Sequence, residues 1–228
     1  MAGTKKSPRN LVIFTAIIVI LFVILYMLNQ ASNKPTEQTS SAGRPDISNQ
    51  ATAGSKDSKV QIVEFGDYKC PACYLWSENI YPKLKENYID TGKVTFAFIN
   101  TPFHGEESIT GALAGESIWA TNPDAFWPFH EALFAAQPAH GDSTTWLTMD
   151  KVLEIAAAVE PKIDLDKLKD DIEKKAALPQ VEIDKGLVDK YKVNATPTIM
   201  INDSVLQSPM DYDAIVKVIE DKLKEQGS

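Results

Sequence analysis

The stretch VEFGDYKCPACYLW, residues 63–76, contains the two cysteines of this 228-residue chain, Cys70 and Cys73. Val63 and Phe65, with Val60 and Ile62 just before the stretch, indicate a short, largely apolar strand that ends at Gly66. Pro71 is suited to the first turn of a helix. Four uses of such a cysteine pair are known: a structural disulfide, half of a metal site, a haem attachment point and a redox couple.

Three of these uses fit the sequence poorly. A disulfide between these cysteines would close a loop of only four residues, which contributes less loop entropy than a long-range bridge. A zinc site needs two further ligands, and His104, His130 and His140 lack the paired spacing that zinc sites use, so we interpret them as surface or packing residues. Haem attachment needs a histidine directly after the second cysteine, where this chain has Tyr74.

The redox use fits the position of the pair. Cys70 is predicted to lie at the N-terminus of a helix, where unpaired N–H groups and the helix dipole favour a negative charge. The resulting low pKa makes its thiolate the attacking group and the better leaving group. Cys73 lies one turn further on and is predicted to be the buried resolving thiol. Disulfide chemistry also suits an exported protein.

An apolar segment near the N-terminus predicts a membrane anchor. Residues 11–28, LVIFTAIIVILFVILYML, carry no charge and just reach the length that spans a bilayer. Lys5, Lys6 and Arg9 precede this segment, so the positive-inside rule places residues 1–10 in the cytoplasm and the rest of the chain outside. A cleaved signal peptide is the alternative, but the segment is longer than usual for one and no A-x-A site follows. We therefore predict a single-pass cell-membrane protein with an extracytoplasmic catalytic domain.

The next segment and the overall charge limit the partners. Residues 29–57 are rich in small and polar residues and contain almost no large apolar side chain, which predicts a flexible linker. The net charge of −8 argues against a nucleic-acid partner, because binding phosphates requires clustered Lys and Arg. We find no dimerisation segment between the anchor and the domain, and we expect a monomer.

The exported domain has the pattern of an α/β fold. Residues 58–103 contain a strand, a helix and a second strand, which predicts a βαβ unit with parallel strands. Pro82 is expected to kink or split the helix. Residues 104–178 have apolar side chains at helical spacing and no convincing strand, which predicts an insertion of three or four helices. Residues 179–228 contain a helix, a hairpin that begins at Pro197, and a final amphipathic helix.

Four segments of this domain resemble the thioredoxin-fold disulfide oxidoreductases of the DsbA kind. The segments are VEFGDYKCPAC at 63–73, FHG at 103–105, FWPFHEALF at 126–134 and NATPTIMIND at 194–203. The chain is similar in particular to the membrane-anchored BdbD type of Gram-positive bacteria, over roughly residues 58–226. This resemblance implies a thioredoxin fold with an inserted α-helical domain, preceded by one N-terminal transmembrane helix.

The resemblance also implies roles for individual residues. Cys70 matches the nucleophile and Cys73 the resolving thiol. Thr196 and Pro197 match a loop whose proline is cis and whose backbone pairs with substrate; the alternative is a trans proline at the start of an edge strand. Glu64 matches a buried acid whose raised pKa suits proton exchange with Cys73. The alternative for Glu64 is an edge-strand side chain that faces water.

Two further expectations concern redox tuning and a metal. The strongly oxidising family members have a histidine before the second cysteine, whereas this chain has Pro71 followed by Ala72, so the oxidising strength stays open. Members of the BdbD type carry a structural calcium between the helical and thioredoxin parts. Glu116 and Asp184 are acids from those two parts that would serve, although their spacing is not that of a calcium loop. No cofactor is expected for catalysis.

The resemblance therefore implies an extracytoplasmic thiol oxidase that introduces disulfides into reduced, unfolded secreted proteins. A DsbB-like, quinone-linked membrane oxidase is the expected partner that reoxidises it. A reductase or isomerase of the same fold is one alternative. A membrane-tethered chaperone or binding module with incidental cysteines is another, from a different functional class.

Overall fold

The computed structural model describes residues 8–32, 38–40, 42–138 and 145–226. His140, residues 1–7 of the predicted cytoplasmic segment and residues 33–37 of the predicted linker lie outside the described residues. The chain divides into two compact units, one ending at Thr36 and the other beginning at Glu37, and each is described by itself.

The first unit contains one helix, α1, Pro8–Ser32. Side chains from Val12 to Met27 are all exposed, although almost all of them are apolar. Within the residues that the structure describes, no helix combines the length and the hydropathy needed to cross a membrane. The transmembrane segment predicted for residues 11–28 therefore stays a prediction.

The second unit is built on one mixed sheet of six strands in the order β1-β6-β5-β3-β4-β2. The strands are β1 Gln38–Thr39, β2 Ala51–Gly54, β3 Gln61–Gly66, β4 Thr95–Asn100, β5 Thr198–Ile201 and β6 Ser204–Val205. β3 and β4 are parallel, as the predicted βαβ unit requires, and the other neighbours are antiparallel. All residues of β3 are buried. Its apolar side chains lie on both faces of the sheet, which is typical of a strand that is covered on both sides.

The prediction of a flexible linker over residues 29–57 is wrong for part of that segment. β2 pairs with β4 from Ala51 to Gly54, and β1 pairs with β6. A composition poor in large apolar residues predicts disorder because such a chain buries little surface of its own. Here the order comes instead from backbone hydrogen bonds to the open edges of an existing sheet, which small residues such as those of β2 make as well as large ones.

A broken helical segment connects β3 to β4. Helix α2, Pro71–Asn79, is followed by α3, Tyr81–Leu84, and by a π-helical turn, Lys85–Ile89. The break lies at Ile80, two residues before Pro82, so the predicted split is confirmed. Proline lacks an N–H and its ring clashes with the preceding turn, whereas it is tolerated near the start of a new helix.

The insertion predicted between the two parts of the sheet is helical throughout the residues that are described there. Its helices are α4 Glu106–Thr121, α5 Pro123–Ala135, α6 Met149–Ala158 and α7 Leu165–Glu173, and the chain returns to the sheet through α8 Leu178–Lys190 and ends with α9 Tyr212–Gln226. Tyr68, Phe98, Phe126 and Phe134 belong to one buried cluster that joins the insertion to the sheet. This shared core fixes the insertion beside the carboxyl end of β3.

Candidate active site

The two cysteines lie where β3 passes into α2. Cys70 is the N-cap residue of α2 and has extended backbone angles, and its N–H donates to the carbonyl oxygen of Asp67 at 2.9 Å. Pro71 occupies the first turn of the helix. A backbone N–H in this turn has no acceptor within the helix, so the missing N–H of proline costs no hydrogen bond. The junction therefore places the Cys70 sulfur at the open amino end of the helix and Cys73 one turn inside it.

The Cys70 thiol has a strongly lowered pKa. A hydrogen bond from Cys73 is the largest cause; the Thr196 side chain and the backbone N–H groups of Cys73 and Ala72 add to it, while burial opposes it, and together they bring the pKa to about 5. The Cys70 Sγ also lies 3.4 Å from the carbonyl oxygen of Thr196. Cys70 is therefore a thiolate near neutral pH, which is the nucleophilic form of cysteine.

The Cys73 thiol behaves in the opposite way. Its side chain is 0% exposed, and this burial raises its pKa well above the ordinary value. The hydrogen bond with Cys70 and the charge of Glu64 raise the pKa further, while the N–H of Asp67, 3.5 Å from the Cys73 Sγ, opposes the shift. Neither cysteine is in a disulfide, so the structure shows the reduced pair.

The Thr196–Pro197 peptide bond is cis, as the resemblance implies. The bond precedes β5, and Pro197 is buried beside the redox pair, since the preceding residue contacts Cys70. The role of this loop in pairing with a substrate backbone stays a prediction. A second cis bond, Glu160–Pro161, was not predicted.

Glu64 is buried in the middle of the sheet. It stands opposite Phe98 of β4 and Ile199 of β5, so the alternative of an edge-strand side chain facing water is wrong. Its side chain is 1% exposed, and its Oε1 has no hydrogen-bond partner among the described residues. Burial, and after it the charge of Cys70, raises the pKa of Glu64 well above the ordinary value. Its proton exchange with Cys73 stays a prediction.

Pro71 and Ala72 lie between the two cysteines and add no charge to the site. Pro71 is exposed and Ala72 is half-buried, and the backbone N–H of Ala72 supports the Cys70 thiolate. The low pKa of Cys70 therefore arises without the histidine that the strongly oxidising family members have before the second cysteine.

Sequence reasoning missed Asp67, whose carboxylate is 2% exposed. It accepts hydrogen bonds from the backbone N–H groups of Lys69 and Phe103, both at 2.9 Å. It also accepts from the His104 Nδ1 at 2.6 Å and the Ser108 hydroxyl at 2.9 Å. The FHG motif at 103–105 was the available signal, but the sequence did not show which residue this motif contacts.

Asp67 belongs to the redox turn, residues 67–69, and the other two residues of this turn also contact the insertion. The Tyr68 hydroxyl bonds the His130 Nδ1 at 2.9 Å, and Lys69 forms an ion pair with Glu107 at 2.8 Å. Gln137, at the end of α5, donates to the carbonyl oxygen of Tyr68 at 2.8 Å. These contacts fix the chain immediately before Cys70.

The two histidines that are described have different roles. His130 is a packing residue, as predicted, and burial lowers its pKa to about 3, so it is neutral. The His104 side chain is 41% exposed but bonds Asp67, so it belongs to the surroundings of the redox turn. Both histidines follow Pro-Phe in the sequence, at 102–104 and 128–130, and only the structure separates their roles.

Glu116 and Asp184, the predicted calcium ligands, meet in a buried polar cluster. The Asn100 side-chain amide donates to Glu116 at 2.8 Å and to Asp184 at 2.9 Å, and Gln50 also bonds Asp184. Burial is the main cause that raises the pKa of Glu116 to about 8 and that of Asp184 to about 6. The charge of Asp184 raises the Glu116 pKa further.

The chemistry of this cluster fits a hard cation. Oxygen atoms of Asp184 and Gln50 are buried and have no hydrogen-bond partner among the described residues. Carboxylate and amide oxygens are the donors that Ca²⁺ prefers, and a cation would offset two buried acids. In the part of the chain that the structure describes, however, no group of three or more His, Cys, Asp or Glu side chains is close enough to hold a metal.

Comparisons with known proteins agree with this geometry. A family profile described as Thioredoxin matches residues 47–221. Disulfide bond formation protein D of Bacillus subtilis (strain 168) is 42% identical over 194 residues, which are 84% of this chain and 86% of that protein. Probable disulfide bond formation protein D of Bacillus anthracis is 36% identical over 225 residues, 98% of this chain and 99% of that protein.

Solved structures give the same result. The crystal structure of oxidised BdbD from Bacillus subtilis aligns with a TM-score of 0.77 at 41% identity and covers 82% of this chain and 100% of that one. Chlamydia trachomatis DsbA aligns with a TM-score of 0.71 at 19% identity, over 81% of this chain and 96% of that one, which shows the shared fold. The predicted thioredoxin fold with a helical insertion is confirmed.

Proposed function

This chain belongs to the thioredoxin family of thiol-disulfide oxidoreductases that includes disulfide bond formation protein D, and from this premise we propose that it works as an oxidase. In this direction it transfers its Cys70–Cys73 disulfide to pairs of thiols in reduced, unfolded secreted proteins. The observation that carries the direction is the Cys70 pKa of about 5. A stabilised thiolate favours the reduced enzyme and so makes its disulfide a strong oxidant.

The exchange needs two steps and no cofactor, because the two sulfur atoms carry both electrons. A substrate thiolate attacks the Cys70 sulfur, the Cys70–Cys73 bond breaks, and the electron pair leaves on Cys73, which takes up a proton. A second substrate thiolate then attacks the substrate sulfur of the mixed disulfide and releases the Cys70 thiolate. The substrate gains one disulfide and the enzyme becomes the dithiol. The low Cys70 pKa makes it a good leaving group in the second step.

Equilibrium of the cysteine pair with glutathione tests the direction. We expect a potential closer to the value of about −120 mV for DsbA than to the value of about −270 mV for thioredoxin. A value near that of thioredoxin would indicate a reductase. The rate at which a reduced disulfide protein refolds is the second readout. The wild-type protein should raise this rate, and Cys70→Ser should abolish the increase. A Cys70→Ser variant with full activity would indicate a chaperone.

The location of the chain and its reoxidising partner are parts of the same proposal. We infer that α1 anchors the protein in the cell membrane, with its N-terminus in the cytoplasm, because the side chains from Val12 to Met27 are almost all apolar and all exposed. A DsbB-like, quinone-linked oxidase would then meet the redox pair outside the cytoplasm.

Labelling of the full-length chain in intact cells tests this location. A membrane-impermeant maleimide should modify Cys70 in reductant-treated cells, and the chain should resist alkaline extraction from membranes. Protection of Cys70 until the cells are lysed would overturn the external location. Depletion of respiratory quinones should convert the cysteine pair from oxidised to reduced, and an unchanged oxidised fraction would exclude a quinone-linked partner.

We propose further that the Glu116–Asp184 cluster binds a structural calcium ion. Glu116, Asp184 and Gln50 would hold the ion, which would join the insertion to the sheet. Calcium should raise the melting temperature of the protein relative to a chelator, and Asp184→Asn should remove that difference. Asp189→Asn, an exposed acid of the same helix, should preserve it. An equal response of the two variants would exclude the site.

A further inference from the structure

The redox turn, residues 67–69, is attached to the helical insertion by three successive side chains. Asp67 bonds Ser108 and His104, Tyr68 bonds His130, and Lys69 pairs with Glu107. Of the three, Asp67 is the one whose backbone touches both cysteines. Its carbonyl oxygen accepts from the Cys70 N–H at 2.9 Å, and its N–H donates to the Cys73 Sγ at 3.5 Å.

The Asp67 carboxylate connects this backbone to the segment 103–108. Oδ2 accepts from Phe103, His104 and Ser108, and Oδ1 accepts from the N–H of Lys69. An ionised carboxylate only accepts hydrogen bonds, so the His104 Nδ1 carries the proton in this contact. Every oxygen of a carboxylate that is almost fully buried is therefore satisfied, which is the condition for keeping such a group in a protein interior.

We propose that Asp67 is a positioning residue for thiol–disulfide exchange: its carboxylate joins the redox turn to the segment 103–108 by hydrogen bonds and thereby holds the Asp67 backbone against the Cys70 N–H and the Cys73 sulfur. The proposal rests on Cys70 as the exchanging thiol and is independent of the direction of exchange. Nothing in the reaction requires Asp67 to touch substrate, and its effect is exerted through Cys70 and Cys73.

Two effects of the carboxylate on Cys70 have opposite signs, and this makes the proposal testable. As a negative charge, Asp67 disfavours the Cys70 thiolate, so removing the charge alone would lower the Cys70 pKa. Through its hydrogen bonds to the segment 103–108, Asp67 keeps Cys70 at the N-cap, where the N–H groups of Ala72 and Cys73 support the thiolate. Loss of these hydrogen bonds would raise the Cys70 pKa. A role in stability alone would leave the Cys70 pKa unchanged.

Asp67→Asn is the first test. The amide keeps the size of the carboxylate, but its NH₂ group must face either the Lys69 N–H or the donors of the segment 103–108. The readout is the Cys70 thiolate in the reduced protein, followed by ultraviolet absorbance against pH and by iodoacetamide alkylation at pH 5. We expect the midpoint to rise by about one pH unit, which lowers the alkylation rate at pH 5 about fivefold.

Three further variants complete the test. His104→Asn keeps a donor near the position of Nδ1 and should stay close to the wild-type midpoint, whereas His104→Ala should shift it upwards by less than Asp67→Asn. Val188→Ala, at a buried position of α8 whose apolar cluster contains no residue of the redox turn and neither cysteine, is the control for lost stability alone. It should lower the melting temperature without moving the thiolate midpoint.

The outcomes separate the possibilities even where one variant does not fold. An unchanged or lowered midpoint in Asp67→Asn, or an equal rise in Val188→Ala, would overturn the proposal. Should Asp67→Asn not fold, the His104→Ala and Ser108→Ala double variant carries the test, since each change removes a hydrogen bond from the same oxygen. A wild-type midpoint in a folded double variant would also overturn it. The potential against glutathione is measured separately, so a failed oxidase proposal leaves this result intact.

Discussion

At the scale of single residues, two cysteines one helical turn apart have opposite properties. Cys70 lies at the N-cap, where N–H groups converge without intrahelical acceptors, and its pKa falls to about 5. Cys73 lies inside the first turn, where burial outweighs the remaining donors and raises its pKa. The difference between the two pKa values follows from the position of each cysteine in the helix. It makes Cys70 the nucleophile and leaving group and Cys73 the resolving thiol.

Serine substitutions should separate these two roles. Cys70→Ser should abolish exchange, since the thiolate is lost. Cys73→Ser should keep a reactive Cys70, which attacks the disulfide of an oxidised substrate and accumulates as a mixed disulfide, because no internal thiol remains to release it. Non-reducing electrophoresis with mass spectrometry would detect the adducts. Adducts that form on Cys73 of the Cys70→Ser variant at the same rate would contradict the assignment.

Glu64 should act on the rate of exchange through its proton. Its carboxyl is buried beside the pair, and its charge raises the pKa of Cys73. Glu64→Gln removes the proton acceptor, and we expect exchange at neutral pH to slow by at least about tenfold, the lower part of the range for general acid–base groups. Stopped-flow fluorescence measures the rate. Glu182→Gln, an exposed control on α8, should match the wild type, and a wild-type rate in Glu64→Gln would remove Glu64 from the mechanism.

At the scale of elements, β3 organises the site because it carries Glu64 and ends directly before the redox turn. Its last residue, Gly66, lies against β4: a Cβ at this position would be 2.4 Å from Cε2 of Phe98 and 2.9 Å from Oε1 of Glu64. Contacts this short are not tolerated between real atoms, so a larger residue must displace the ring, the carboxyl or the strand.

Alanine scanning of two glycines should therefore give opposite results. Gly66→Ala should destabilise the protein by about 1–3 kcal/mol through overpacking and should slow exchange by moving Glu64. Gly186→Ala, at an exposed position of α8 with no atom within 4 Å of its new Cβ, should stabilise the protein by about 0.5–1 kcal/mol. Guanidinium unfolding measures both. A neutral Gly66→Ala would show that the sheet can shift at this point.

Local signals predicted the elements better than they predicted contacts. The helix split near Pro82 follows from the chemistry of proline alone, and the parallel β3–β4 pair follows from the βαβ spacing. β2 was missed because its order comes from the edge of β4, which a local composition argument does not include. Asp67 was missed for the same reason: its partners in the segment 103–108 lie 36–41 residues further along the chain.

At the scale of the whole molecule, the insertion and the sheet meet at the redox turn and again at the Glu116–Asp184 cluster. The contact at the redox turn was not predicted, and the resemblance implied only the contact at the cluster, through its calcium site. It did not show how they are built: the turn is held by charged and aromatic side chains, and the cluster by Asn100 and Gln50. Such contacts depend on three-dimensional packing, which the spacing of residues along one chain does not encode.

The thiolate of Cys70 links the redox state to the stability of the whole domain. Its folded-state pKa of about 5 lies below the value of about 8.5 for an unfolded cysteine. Such a group contributes stability that is fully present above the unfolded pKa and is lost as pH falls through the folded pKa. The oxidised protein has no thiol to titrate, and the disulfide constrains only a four-residue loop of its unfolded chain.

We therefore expect the reduced protein to melt at a higher temperature than the oxidised protein at pH 7.5, with a difference that shrinks as the pH falls to 5. Glu116 and Asp184 titrate in both redox states, so their effects largely cancel in the comparison. Scanning calorimetry of both states across this pH range measures the difference. The Cys70→Ser variant should lack the part of the pH dependence of the reduced protein that the Cys70 thiolate contributes. An oxidised state that is the more stable one at pH 7.5 would mean that the thiolate is not stabilised enough for this disulfide to oxidise other proteins.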